Sequence, residues 1–216
     1  MKMKELWLIR HAESLANSGA ATSTPGDIPL SEKGFSQAKR LAEVINLKPD
    51  LIIVSPYLRS PQTAAPLINI FPQTPTEILT IQEFTYLSIN RTRGTTHEQR
   101  KPLVEEFWKR GDPHFCDGEQ AESLAEFFYR VESFLRQMSE RRFELAFAFT
   151  HEQFIKALIW EVLHPEKVFD EKFMFDFQKF MNSFAVANTA IMKLKIEENG
   201  EFYIGKIAVS HLENYA

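Results

Sequence analysis

Three short apolar runs, Leu6–Ile9, Leu51–Val54 and Leu145–Phe149, each break off into polar residues, and this constrains the fold more than any other feature of the chain. Brief, continuous apolar runs of this kind read as strands buried on both faces. Between them the apolar spacing becomes helical. Ser31 to Asn46 places Phe35, Ala38, Leu41, Ala42 and Ile45 on one face, with Ser31 as N-cap and Pro49 closing the segment. After the second run, Ser55-Pro56-Tyr57-Leu58-Arg59 turns the chain toward another helix. From Ser123 onward, Leu124, Phe127, Phe128, Val131, Phe134, Leu135 and Met138 recur at helical steps, the pattern of a long amphipathic helix. Phe154, Ile155, Leu158, Ile159 and Val162 follow the third run as a further helix, stopped near His164-Pro165.

This alternation of strand and helix predicts a parallel sheet. Ile191–Ile196 and Phe202–Val209 flank Asn199-Gly200 and predict a hairpin. The expected fold is one α/β domain over 1–216, a three-layer αβα sandwich with a mostly parallel central sheet. The stretch from about 71 to 120 is rich in Pro, Thr, Arg and Glu, with only a short helical pattern around Leu103, Phe107 and Trp108. It is expected to be a cap, an insertion forming a lid over the sheet edge.

Composition narrows the function. At 216 residues, 44% hydrophobic and 25% charged, the chain has the balance of a packed protein rather than a disordered one. A net charge of −4 gives no general attraction to a phosphate backbone, so no nucleic-acid partner is expected. Cys116 is a single cysteine and forms no internal disulfide. The N-terminal residues lack the apolar core of a signal peptide, and no stretch approaches the ~20 apolar residues of a membrane span. A cytoplasmic protein without a membrane partner is expected; nothing in the sequence sets an oligomeric state.

In open parallel sheets, ligands gather outside the carboxyl ends of the strands. Three predicted strands end there in Arg10-His11, in Ser55-Pro56 leading to Arg59, and in Thr150-His151. Arginine offers a planar fork of donors suited to phosphate oxygens, and histidine can donate a hydrogen bond or act as a nucleophile. Other chemistries lack their motifs. Cys116 is followed by Asp117-Gly118-Glu119-Gln120-Ala121-Glu122, without the arginine a cysteine phosphatase needs nearby. His97, His114, His164 and His211 show no His-Glu-x-x-His pairing, and no glycine-rich nucleotide loop occurs.

The linear pattern also resembles a known family. Arg10-His11-Ala12-Glu13-Ser14 with Asn17 is similar to the signature of the histidine phosphatase superfamily, the phosphoglycerate-mutase-like proteins. Pro29-Leu30-Ser31-Glu32-Lys33-Gly34 with Gln37-Ala38, then Ser55-Pro56-Tyr57-Leu58-Arg59-Ser60-Pro61-Gln62-Thr63-Ala64, then Phe149-Thr150-His151 resemble its further motifs in the right order. The resemblance runs from Leu6 to the hairpin and is weakest between Ile89 and Gly118.

It implies metal-independent hydrolysis of a small-molecule phosphate monoester, without a cofactor. His11 would be the nucleophile that forms a phosphohistidine, and Arg10, Arg59, His151 and Asn17 would bind the phosphoryl oxygens. Glu83, in Ile81-Gln82-Glu83, would be the proton donor, with Glu77 as the competing carboxylate. A mutase that passes the phosphoryl group to a second hydroxyl, and a catalytically weak sensor of phosphorylated ligands, are the alternatives. Two departures stand out: Ala12 where the family usually has glycine, and Glu152 after the second histidine, which would put a carboxylate beside an anion.

Other residues have plainer readings. Ser31 and Ser123 are helix caps, with Glu122 next to the latter, and Gly34 is permissive packing. Arg91, Arg93, Arg100 and Lys101 form a solvated cationic patch, or else a grip for a second phosphate or a carboxylate.

Overall fold

Successive side chains of a strand point to opposite faces of its sheet, and this chain uses that alternation to build two cores. The computed structural model describes residues 3–209; His211 lies outside them. Six strands form one sheet: β1 (Lys4–Arg10), β2 (Leu51–Val54), β3 (Thr76–Ile78), β4 (Leu145–Thr150), β5 (Ile191–Ile196) and β6 (Phe202–Ala208), in the order β3-β2-β4-β1-β5-β6. Leu6, Leu8, Ile53, Ala146 and Ala148 face the larger core. Trp7, Ile9, Ile52, Val54, Phe147 and Phe149 face the smaller one.

Helices α1 (Glu32–Val44) and α2 (Arg59–Ile70) cover the smaller core with Leu41, Ala42, Ala64 and Leu67. Between β3 and the next long helix lie α3 (Ile89–Thr92) and α4 (His97–Lys109). Then α5 (Leu124–Glu140), α6 (Glu152–Leu163) and α7 (Glu171–Ser183) supply Phe127, Phe134, Phe154, Leu158 and Phe177 to the larger core. The result is the expected αβα sandwich with a mostly parallel sheet.

β1, β2 and β3 join β4 in one parallel set, while β5 runs antiparallel to β1 and pairs with β6 as the expected hairpin. The register Arg10↔Thr150 and Val54↔Phe149 brings the carboxyl ends of β1, β2 and β4 to the same edge. His11, Ser55 and His151 follow at once.

Three local features differ from the sequence expectation. The stretch expected to leave the sheet at about 71 pairs with it again as β3, a short edge strand whose Ile78 is exposed, so it carries no apolar run to read. The helix around Leu103 starts earlier, at His97, because Thr96 and Gln99 form a capping box that precedes its apolar residues. Between Pro165 and Ile191, where no element is expected, α7 buries Phe173, Met174, Phe177 and Met181.

Gly34 is not permissive packing. A Cβ there would lie 2.0 Å from the carbonyl oxygen of Glu13, so only glycine lets α1 approach the loop after β1 so closely. Ser31 caps α1, accepting from the Gly34 N–H, and Ser123 caps α5 in a capping box with Glu126. Among the described residues no helix is long and apolar enough to cross a membrane.

Candidate active site

His11 leaves the end of β1 already oriented. Its Nδ1 lies 2.7 Å from the carbonyl oxygen of Ala12, which can only accept, so Nδ1 carries the proton. Arg59, the first residue of α2, donates from Nε to His11 Nε2 at 3.1 Å, which requires a lone pair on that nitrogen. The same guanidinium donates to the Pro25 carbonyl at 2.7 Å and lies 3.0 Å from His151 Nδ1. His151 therefore has the opposite tautomer, and its Nε2–H donates to Ser55 Oγ at 2.8 Å.

Burial sharpens this arrangement. His11 is 3% exposed, His151 0% and Arg59 6%. Desolvation, then the nearby Arg59 charge, hold both imidazoles well below the usual histidine pKa, so they are neutral. Burial also lowers Arg59 to about 10, which still leaves it charged at neutral pH.

Glu83 sits on the loop between β3 and α3. Its Oε1 accepts from the Gln153 N–H at 3.0 Å and the Phe84 N–H at 3.3 Å. Burial pushes its carboxyl up, against the pull of Arg59 and Arg10. It lines one cavity with Arg10, His11, Asn17 and Arg59, of about 200 Å³. Glu77 does not line it, being tied to Arg141 at 2.6 Å. Asn17 spends its amide oxygen on Ser14 and on Asn188 Nδ2, which leaves its NH₂ donors for a ligand.

Arg10 lines the cavity while its Nη1 donates to the Val186 carbonyl and its Nη2 pairs with Glu152 at 3.1 Å. Its buried Nε has no partner among the described residues. Glu152 is thus no loose carboxylate beside an anion site. Burial opposes its ionisation, but Arg10, Lys156 at 2.8 Å and the Val186 N–H together hold its pKa below the usual range. Ala12 is fully buried beside Leu30 and Ala38, and its N–H donates to Thr63 Oγ1.

Several further residues position the site. Asn188 donates to the His11 carbonyl at 2.8 Å from the loop before β5. Thr150 Oγ1 donates to the Ile81 carbonyl at 2.6 Å and ties the Glu83 loop to the end of β4. Arg130 of α5 donates to the carbonyls of Thr80 and Gln82 and forks onto Glu122, whose carboxylate also accepts from the Thr85 N–H. The carboxylate next to the Ser123 cap therefore braces the same loop. A polar residue among the apolar positions of α5 is the one hint of it.

A neutral imidazole with its lone pair held beside a buried guanidinium, and a carboxyl with a raised pKa across one small cavity, can attack an electrophilic centre and protonate what leaves. A family model for the histidine phosphatase superfamily (branch 1) matches residues 6–206, and the chain belongs to that superfamily. It is 32% identical over 139 residues to the adenosylcobalamin/alpha-ribazole phosphatase of Salmonella typhi, covering 62% of this chain and 66% of that enzyme. Phosphoserine phosphatase 1 of Hydrogenobacter thermophilus is 30% identical over 142 residues, covering 64% of this chain and 66% of that enzyme. The chain thus aligns with about two thirds of each relative's length. In structure, the alpha-ribazole phosphatase from Shigella flexneri superposes with a TM-score of 0.72 at 21% identity, covering 96% of each chain.

Proposed function

We propose that this chain hydrolyses small phosphate monoesters through a phosphohistidine on His11, without a metal. The observation that carries the reading is the fixed tautomer of His11: the Nδ1–H donates to a carbonyl, which leaves the Nε2 lone pair toward Arg59 on the wall of the cavity. His11 Nε2 attacks phosphorus as the ester bond breaks. Arg59, Arg10 and the Asn17 amide serve the phosphoryl oxygens, whose negative charge the two arginines balance. His151, expected to join them, does not line the cavity, and with its Nε2–H given to Ser55 and its Nδ1 against Arg59 it positions the guanidinium instead. Glu83, whose protonated form burial favours, gives its proton to the leaving oxygen. As a carboxylate it then takes a proton from the water that hydrolyses the phosphohistidine, which restores both groups.

The relatives named above, an alpha-ribazole phosphatase and a phosphoserine phosphatase, support hydrolysis over transfer. Pairing of Glu152 with Arg10 and Lys156 removes the repulsion that would favour a non-catalytic sensor. The test is phosphate release from a panel of monoesters with chelator present, on wild type and His11→Ala, with acid-labile phosphate on the protein followed in parallel. Turnover and labelling in the wild type alone are expected. Phosphoryl exchange between two hydroxyls that outruns phosphate release would replace the reading with a mutase.

A further inference from the structure

Most cations of the segment between β3 and α5 that make contacts are matched by a carboxylate. Arg91 meets Asp117 and Glu106, Lys101 meets Glu98 at 2.7 Å, and Arg110 approaches Glu106 at 3.9 Å. Arg100 differs. Its Nε donates to Thr95 Oγ1 at 2.7 Å, and its Nη2 reaches Thr22 Oγ1 at 2.8 Å and the carbonyls of Thr95, Thr22 and Thr92 at 2.8, 3.2 and 3.2 Å. Every acceptor is neutral. They hold the guanidinium in place without compensating its charge, and Nη1 has no partner among the described residues. Burial lowers the Arg100 pKa, as expected for a cation drawn from water with no counter-ion.

This side chain lines the same cavity as His11, Arg59 and Glu83, one turn of α4 from Val104, which lines it too. A partly buried, unpaired cation costs free energy that an anionic ligand offsets. The cavity of about 200 Å³ is smaller than the roughly 300–1,000 Å³ of sites for drug-sized ligands, so that anion belongs to a small molecule. We propose that Arg100 is a specificity-determining residue that selects esters whose leaving group carries a second negative charge, a carboxylate or a second phosphate. The inference takes its setting from the phosphatase reading, since it assumes that the first phosphate sits at His11.

Three esters on one carbon skeleton test it: n-propyl phosphate, 3-(phosphonooxy)propanoate and propane-1,3-diol bisphosphate. Binding is measured by calorimetry on His11→Ala, and kcat/KM by phosphate release in the wild type. At least one charged ester should bind about tenfold or more tightly than n-propyl phosphate, and which one does so separates carboxylate from phosphate. Placing Arg100→Gln in either background should bring the ratio to within about twofold, whatever it does to n-propyl phosphate itself. Because Arg100 also ties loops together, Val104→Glu supplies a second route. It sets a carboxylate one helical turn from the guanidinium and should cancel the preference with the loop contacts kept. Equal binding of all three esters, or a preference that survives both variants, overturns the proposal. Preference in binding with no phosphate released from any ester would instead leave Arg100 in its role and remove the hydrolytic reading.

Discussion

The wall at the sheet edge and the segment above it are held by different balances of force. His11, Arg59 and His151 hang from strand ends and a helix start, and their polar atoms are fixed by directional bonds to Ala12, Pro25 and Ser55. The segment from Leu79 to Ser123 adds ring contacts to its hydrogen bonds from Arg130 and Arg100, with Phe84 stacked on Phe127 at 4.5 Å and Tyr86 against Phe107 at 4.8 Å. Hydrogen-bond geometry sets atoms to within fractions of an ångström, whereas apolar burial is non-directional. In the proposed reaction the lone pair aimed at phosphorus sits on the wall, and the proposed selection of the leaving group sits on the segment above it. Glu83 is the seam between them, in the upper segment by sequence but tied to the end of β4 through Ile81 and to the first turn of α6 through Gln153.

Breaking the wall should abolish turnover without unfolding the protein. His11→Ala is expected to lower kcat by about 10,000-fold, with no acid-labile phosphate on the protein. Next in size, Glu83→Gln should cost about 1,000-fold with esters of poor leaving groups and far less with p-nitrophenyl phosphate, whose leaving group needs no proton.

The pH profile sharpens that assignment. The Glu83 pKa is raised in the fold, so formation of the phosphohistidine should fall as pH rises through it, and Glu83→Gln should lose this limb. The same sign bears on stability. A raised carboxyl pKa means the folded state holds the proton more tightly than the unfolded one, so the fold loses stability as pH climbs above the ordinary value of 4.5. Glu83→Gln should therefore melt at a higher temperature than the wild type at pH 7, read by calorimetry.

Smaller effects separate geometry from charge. Arg59→Lys keeps a cation but not the fork that spans His11, Pro25 and His151, and should cost about 100-fold in kcat/KM. Gly34→Ala tests the frame beneath the wall: the clash with the Glu13 carbonyl should destabilise the fold by about 3 kcal/mol in urea titration. At the far end, Lys101→Ala removes an exposed ion pair with Glu98 on the upper segment and should change stability by less than about 0.5 kcal/mol.

Most of the sheet was legible because buried strands and amphipathic helices leave periodic traces. Leu6–Ile9, Leu51–Val54 and Leu145–Phe149 lie within β1, β2 and β4, and Ser31 and Ser123 cap the helices expected of them. β3 left no trace, since an edge strand of three residues with an exposed Ile78 needs no apolar pattern. α7 did carry a stripe, Phe173, Phe177 and Met181, and an N-cap in Asp170, but no apolar strand run leads into it as one does into α2 and α6. The patch of four basic residues was a composition-level reading, and the fold divides it: Arg91 and Lys101 are paired outside the cavity, while Arg100 lines it unpaired.

By itself the sequence determined which groups arrive at the sheet edge, because chain order and strand periodicity fix where Arg10-His11, Arg59 and His151 emerge. Only the tertiary structure decided their states. Which nitrogen of His11 bears the proton, that Glu152 is neutralised by Arg10 and Lys156, and that Gly34 is obligatory all depend on atoms distant in sequence meeting within hydrogen-bond or van der Waals distance. Periodicity records which way a side chain faces, whereas protonation and pairing follow from the partners it finds there.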